Sequence, residues 1–224
     1  MIIDAKDAGL LRDGPWFGRL PGDLQQLIVD RSVERTFRKG EYPIREGEPG
    51  KGMGVVLEGQ VHLVRRVAAA NEVLVDVGEA GFWFGNYGAL TGGAPSIGSI
   101  VATGPVRAMF LPLAEFERIV GDEPRYYRLF SQALIDRYAH LYRHLAEIHG
   151  LPPEEWLRTR LLELAEVRRD ATAQPRSAPV DLSLSHTDLA RMIGVSRQTI
   201  AGLLARLEAR GLVEIGFRNI RVLG

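Results

Sequence analysis

The sequence of 224 residues contains no cysteine, and that absence alone removes disulfides, thiolate zinc sites, iron–sulfur clusters and thiol redox sensing. It has no charge excess either. Lys and Arg number 28 against 28 Asp and Glu, so the total predicts neither a nucleic-acid nor a membrane partner, although a total averages over domains. No apolar run reaches the eighteen or so residues that a membrane span needs. The N-terminus lacks the basic region and apolar stretch of a secretion signal. A soluble, cytoplasmic protein with no membrane partner is the expectation. The chain has no HExxH, no GxxxxGK[ST] and no close carboxylate–histidine cluster, so metal-hydrolase and P-loop readings fail and an enzyme is not expected. What remains is 46% hydrophobic and 25% charged residues, enough to bury one large or two small cores.

Splitting the charge at Gly150 is informative. Residues 151–224 carry 11 Arg against 9 acids, leaving 17 basic and 19 acidic residues in 1–150, and within 182–224 six Arg face only Asp188, Glu208 and Glu214. The small basic excess sits at the C-terminal end, where a nucleic-acid contact would use it. From Arg35 to Leu113 short apolar runs are cut by glycines. Val55 to Val64 reads as strand, turn and strand, and Glu72 to Val77 as a third strand, which predicts a small antiparallel barrel or jelly roll. Pro21 to Ser32 reads as a short helix with Leu24, Leu27 and Ile28 on one face.

Beyond the strands, Glu123 to His149 is a long predicted helix. Its larger apolar residues fall at Tyr127, Phe130, Leu134, Tyr138, Leu141, Leu145 and Ile148, close to a heptad seam, and a seam this long predicts a homodimeric coiled coil. Leu151-Pro152-Pro153 breaks the helix. A second helix follows from about Glu154 to Arg169, and Asp170 to Val180 reads as a loop. The expected architecture is therefore α+β: an N-terminal barrel domain over 1–122, a dimerisation helix over 123–150 and a C-terminal domain over 151–224.

The strongest local signal runs from Ser185 to Glu208. Ser185 and Asp188 have the spacing of an N-cap and its N3 partner, Leu189, Met192 and Ile193 form an apolar face, and Gly194 stops the helix. Ser196 caps a new helix with Ile200, Leu203, Leu204 and Leu207 inward. Two short helices joined by a glycine turn make a helix-turn-helix. Arg197, Gln198, Ala201 and Gly202 remain on the outer face at the start of the second helix, the part that enters a major groove. Arg can pair bidentately with guanine and Gln with adenine, whereas Ser196 and Thr199 suit phosphate oxygens. Leu212 to Ile215, a turn over Gly216 to Asn219, and Ile220 to Leu223 predict a hairpin wing with Arg218 at its tip. His186 completes the predicted DNA-binding set.

In this order the parts resemble the CRP/FNR family of bacterial transcription regulators over nearly the whole chain. Lys39-Gly40-Glu41 with Arg45-Glu46-Gly47-Glu48 is similar to the family's KGE…EGD segment at the start of the barrel. Val55 to Val64 is similar to its VLEGxVxL hairpin, and Ser196-Arg197-Gln198-Thr199-Ile200 resembles its SRETV. The resemblance implies an effector-sensing barrel of the cyclic-nucleotide-binding type, a dimerisation helix, and a winged helix that binds palindromic double-stranded promoter DNA. RNA polymerase is then the expected further partner.

The departures lie in the effector cassette. Relatives that bind cyclic AMP carry F-G-E-L-A-L…P-R-A-S/A, where the resemblance assigns the Glu to the ribose and the Arg to the cyclic phosphate. Here Phe84-Gly85-Asn86-Tyr87 leads into Pro95-Ser96-Ile97, so Asn86 stands in place of the Glu and Ser96 in place of the Arg. Losing that guanidinium removes a buried, charge-assisted contact worth roughly 2–5 kcal/mol. Leu141 and Tyr142 fall where a purine-contacting Thr-Ser pair would lie. The expectation is a small-molecule effector other than cyclic AMP in its usual pose. Trp83, Phe84, Tyr87, Leu141 and Tyr142 either line an apolar pocket or fill the cavity. His62, His140, His144 and His149 could supply a haem ligand, although the pattern disfavours that cofactor, and no metal ligand set is expected. Two alternatives stand beside this reading: a cyclic-nucleotide-responsive regulator with an altered cassette, and a ligand-binding or interaction module without DNA binding.

Overall fold

The computed structural model describes residues 3–68, 71–172 and 174–223; Ala173, inside the loop expected over 170–180, lies outside them. The chain divides into two compact units. One comprises residues 1–65 and 76–140, the other residues 66–75 and 141–224.

The first unit opens with helix α1 (Ala5–Asp13), a 3-10 turn (Phe17–Arg19) and α2 (Gly22–Arg31). Strands β1 (Val33–Phe37), β2 (Gly52–Glu58), β3 (Val61–Ala68), β4 (Asn71–Gly78) and β5 (Trp83–Phe84) follow, then the short helix α3 (Asn86–Leu90), β6 (Ser99–Ala102), β7 (Val106–Pro112), α4 (Leu113–Asp122) and the long α5 (Arg125–Gly150); residues 66–75 of β3 and β4 and residues 141–150 of α5 belong to the second unit. The strands form two sheets, ordered β1-β7-β2-β5 and β4-β3-β6, with antiparallel pairing in β1–β7, β2–β7, β2–β5 and β3–β6. The mixed α/β fold with an antiparallel N-terminal sheet thus follows the sequence expectation.

Strand alternation divides the core in two, because successive side chains point to opposite faces. Val56, Val61, Phe84, Ile100, Ala102, Val106 and Ala108 pack together between the sheets. Met53, Val55, Leu57, Met109 and Leu111 face the other way, onto Leu11, Leu24, Ile28, Phe116, Ile119 and Phe130 of the helices. A buried ion pair also ties α1 to the sheet. Asp7, 2% exposed, accepts two hydrogen bonds from Arg107 on β7 at 2.6 and 2.9 Å. Trp16 donates its indole N–H to the Leu129 carbonyl at 2.8 Å, anchoring the N-terminal segment to α5.

Phe130, which the heptad pattern places in the intermolecular seam, is buried at 1% exposure in its own unit. Its ring lies 4.8 Å from that of Phe116 and 5.9 Å from that of Trp16. The outward stripe of α5 is instead Tyr127, Ile135, Tyr138, Tyr142, Leu145 and Ile148, all exposed. Four of these belong to the expected seam. Ile135 and Tyr142 join it, Phe130 leaves it, and Leu134 and Leu141 are half-buried.

The second unit contains α6 (Pro153–Thr172), β8 (Val180–Leu182), α7 (His186–Ile193), α8 (Arg197–Ala209), β9 (Val213–Gly216) and β10 (Asn219–Val222). Pro153 occupies the first position of α6, where its missing N–H costs nothing. β8, which falls partly in the expected loop, joins the hairpin in a sheet ordered β8-β10-β9. The core combines Trp156, Leu157, Leu161 and Ala165 of α6 with Leu189, Ile200, Leu204, Val213 and Ile220, each nearly inaccessible to solvent.

Candidate functional site

The local chemistry of α7 and α8 fixes where their polar residues point. Ser185 caps α7: its hydroxyl accepts the Asp188 N–H at 3.2 Å while the Asp188 carboxylate accepts the Ser185 N–H at 2.9 Å. These two bonds satisfy orphan donors at the helix start. Gly194 adopts a left-handed φ of 76° at the end of α7, which turns the chain sharply at little steric cost. Ser196 then caps α8 by accepting the Thr199 N–H at 3.0 Å. With Ile200, Leu203, Leu204 and Leu207 buried, helical spacing leaves Arg197, Gln198, Ala201 and Gly202 exposed on the opposite side. A Cβ at Gly202 would meet only the tip of the Arg206 side chain, at 4.0 Å, so nothing crowds the surface there.

Ser196, Arg197, Gln198, Thr199 and Gly202 form one exposed patch at the start of α8. The Ser196 and Thr199 hydroxyls lie 2.8 Å apart, which leaves their remaining lone pairs and one hydroxyl proton for an outside group. His186, half-buried, sits on the first turn of α7. Arg218 occupies the turn between β9 and β10, with a positive φ of 53°. The wing is tied to α8, because Ile215 donates its N–H to Glu208 at 2.9 Å. The far end of α8 is tied to α6. Arg206 and Arg210 donate to Glu154 at 2.6 and 3.1 Å, and the Arg206 hydrogen bond holds the Glu154 carboxyl below its ordinary pKa.

In the first unit, the segment from Phe84 to Ile97 forms a tight cassette. Gly85 precedes α3 with a φ of 81°, and a Cβ there would lie 2.4 Å from the Gly52 carbonyl. Glycine is required on both grounds. Gly50 and Gly88 also approach too closely for side chains, since a Cβ on Gly50 would come within 2.6 Å of the Gly88 Cα. Trp83 and Phe84 point to opposite faces of β5. Trp83 stacks on Phe17 at 5.7 Å and meets Trp16 edge-on at 4.8 Å, while Phe84 fills the space between the sheets. Both serve as core. Tyr87 is half-buried, Ile97 is exposed, and Ser96 donates its hydroxyl to the Gly98 carbonyl at 2.9 Å. Asn86 is 9% exposed, and its carbonyl oxygen is buried without a hydrogen-bond partner. Leu141 and Tyr142 belong to the second unit, with Tyr142 exposed.

One cluster escaped sequence reasoning. His144 of α5 lies against Glu163 and Arg160 of α6, its Nε2 at 2.8 Å from the Glu163 carboxylate and 2.9 Å from the Arg160 guanidinium. Burial pushes the Glu163 carboxyl up, but hydrogen bonds from His144 and Arg160, reinforced by their charges, outweigh it and hold the pKa at about 2. His144, Glu147 and Glu163 bring ligand atoms within 4.8 Å of one another. Arg160, 2% exposed and 3.0 Å from Glu163, already supplies the positive charge there, so the cluster fits a structural joint between α5 and α6 rather than a metal site. The sequence signals are two i, i+3 pairs, His144 with Glu147 on α5 and Arg160 with Glu163 on α6; a close carboxylate–histidine cluster, which the sequence does not predict, is therefore present, because the fold brings the two pairs together. Of the other histidines, His140 lies 3.7 Å from Asp76, His62 is half-buried on β3, and His149 is exposed near the end of α5.

Two family models match the chain: a cyclic nucleotide-binding domain over residues 34–123 and a Crp-like helix-turn-helix domain over residues 157–224. Among curated proteins it is 24% identical to the CRP-like cAMP-activated global transcriptional regulator of Mycobacterium tuberculosis, over 96% of this chain and 95% of that one. It is 26% identical to the global nitrogen regulator of a Synechocystis strain, with the same two coverages. Among solved structures, FixK2 from Bradyrhizobium japonicum superposes with a TM-score of 0.74 at 20% identity, covering 86% of this chain and 93% of that one. The c-di-GMP responsive regulator CLP of Xanthomonas campestris gives 0.72 at 18% identity, covering 91% and 100%. The nucleotide-binding-type barrel and the capped helix-turn-helix with its wing define a DNA-binding transcription regulator, not an enzyme. Within that class, the chain belongs to the CRP/FNR family.

Proposed function

We propose that the protein binds palindromic promoter DNA as a homodimer under the control of a small-molecule effector and acts there on RNA polymerase. In this reading residues 1–122 sense the effector, residues 123–150 dimerise and residues 151–224 bind DNA. The observation that carries it is the exposed patch at the capped start of α8, where Arg197 and Gln198 project with no intramolecular ion pair or hydrogen bond among the described residues. Arg197 and Gln198 read base edges, Ser196, Thr199, His186 and Arg218 hold the phosphate backbone, and the missing side chain of Gly202 opens space above one base pair. Two copies joined along α5 present two such helices, so the site has two-fold symmetry and half-sites about one helical turn apart. Selection of binding sites from a pool of random duplexes tests this. Enrichment of a symmetric sequence supports the reading, and recovery of no sequence preference defeats it.

The effector reading rests on Asn86. A buried carbonyl oxygen without a partner costs about 1–3 kcal/mol, and a ligand that brings an N–H or O–H recovers that cost. With Ser96 in place of an arginine, the cassette offers no side-chain cation to a cyclic phosphate. A neutral donor-bearing molecule therefore fits better than cyclic AMP in its usual pose. The names of the mycobacterial relative and of CLP refer to cyclic nucleotides, which keeps a nucleotide bound through other groups as the second reading. Calorimetry with both nucleotides separates the two.

A further inference from the structure

The most exposed large apolar side chain among the described residues is Phe217, 95% accessible, at the tip of the wing. Gly216 pairs with Asn219 across the hairpin, so Phe217 and Arg218 alone form the loop. Loops of this length favour Asn-Gly or Gly-containing pairs, which take positive φ without strain. Here Arg218 adopts a φ of 53°, and Phe217 packs against nothing. Neither turn propensity nor burial accounts for the pair Phe-Arg.

The arm that carries them is well fixed. Val213, Ile220 and Val222 root it in the core at 3%, 0% and 2% exposure. Ile215 is held by Glu208 of α8, and Asn219 donates its side-chain amide to Asp181 of β8 at 2.8 Å. A rigid hairpin bound to the outward helix thus ends in one apolar ring beside one cation. No ion pair to Arg218 occurs among the described residues, and residues 215–221 contain no acid.

We infer that Phe217 is a DNA-contacting residue, which inserts its ring against the sugar and base surface of the groove flanking each half-site while Arg218 holds the adjacent phosphate. The charge at the tip favours a duplex over a protein surface, because phosphates frame apolar sugar and base edges at the spacing of neighbouring side chains, and apolar wedges beside cations are a general means of gripping a groove. The inference rests on the DNA-binding reading above.

Fluorescence anisotropy and hydroxyl-radical footprinting test it, on a duplex carrying the site selected by the full-length protein, with long flanks. Phe217→Ala is expected to weaken binding about tenfold and to lose protection at the outer edges of the footprint. Its unfolding transition and the slope of affinity against salt should both stay unchanged. Arg218→Ala should instead lower that slope by about one, and Phe217→Trp should bind like the original and show an emission change on DNA. Unchanged affinity and footprint for Phe217→Ala would overturn the inference while leaving the DNA-binding reading intact. Normal DNA affinity with loss of transcription in a purified polymerase assay would also overturn it, by assigning the ring to a protein partner. Failure of the unmodified protein to select any site would defeat the DNA-binding reading itself.

Discussion

Replacing Ile135 and Leu145 together with lysine tests whether the outward stripe of α5 is an intermolecular seam. Both residues project from the helix, 54% and 53% exposed. Covering each one recovers about half of the roughly 1.5–3 kcal/mol that full burial of such a side chain is worth. That is close to 1 kcal/mol per side chain and about 4 kcal/mol for four side chains in a symmetric dimer. Lysine forfeits this gain and places four cations in the seam, so the dimer dissociation constant should rise by at least about a thousandfold. Sedimentation equilibrium reads that change directly. Phe130→Ala is the contrasting variant: its ring is core, and its loss should cost about 3–5 kcal/mol of folding stability with the dimer constant little changed. A double lysine variant that associates within tenfold of the original would show that the stripe covers no partner helix.

Cyclic AMP and cyclic GMP should show no calorimetric binding tighter than roughly 0.1 mM, and the double change Asn86→Glu with Ser96→Arg should improve it. Micromolar binding by the unmodified protein would reverse the effector reading. The joint between α5 and α6 should be acid-sensitive. The Glu163 carboxyl, held at about 2 against an ordinary 4.5, stabilises the folded state above pH 4.5, and that contribution is lost as the pH falls towards 2. Glu163→Gln should therefore lower the urea unfolding free energy on the order of 2–3 kcal/mol near pH 6, with a smaller difference at pH 3. An equal difference at both pH values would mean that packing rather than charge holds the joint.

The helix-turn-helix was legible because its signals are local. Ser185, Asp188, Gly194 and Ser196 act within four residues of themselves, and their spacing alone fixes two caps and a turn. The glycine-cut strands were legible for the same reason. α1 was not, since Asp7 acquires its meaning from Arg107, a hundred residues away. α4 carried a readable signal in Leu113, Phe116, Ile119 and Val120, but it begins directly where β7 ends at Pro112, and no turn marks the change of period. β8 is only three residues long, too short for alternation to show. The seam illustrates a deeper limit. Periodicity places apolar residues on a helix, but it does not say which of two apolar stripes the chain's own core covers, and Phe130 belongs to that core. Likewise the cassette showed which residues are missing for cyclic AMP, whereas the orphaned oxygen of Asn86 appears only when its surroundings are known.

Whether Arg197 reads a base is decided by the affinity of Arg197→Ala for the selected site and for random duplex at one fixed salt concentration. A loss of about 1–3 kcal/mol is expected on the selected site and much less on random DNA, with relaxed preference at one base pair per half-site. Equal losses on both duplexes would reduce Arg197 to a phosphate contact and overturn its base-reading role.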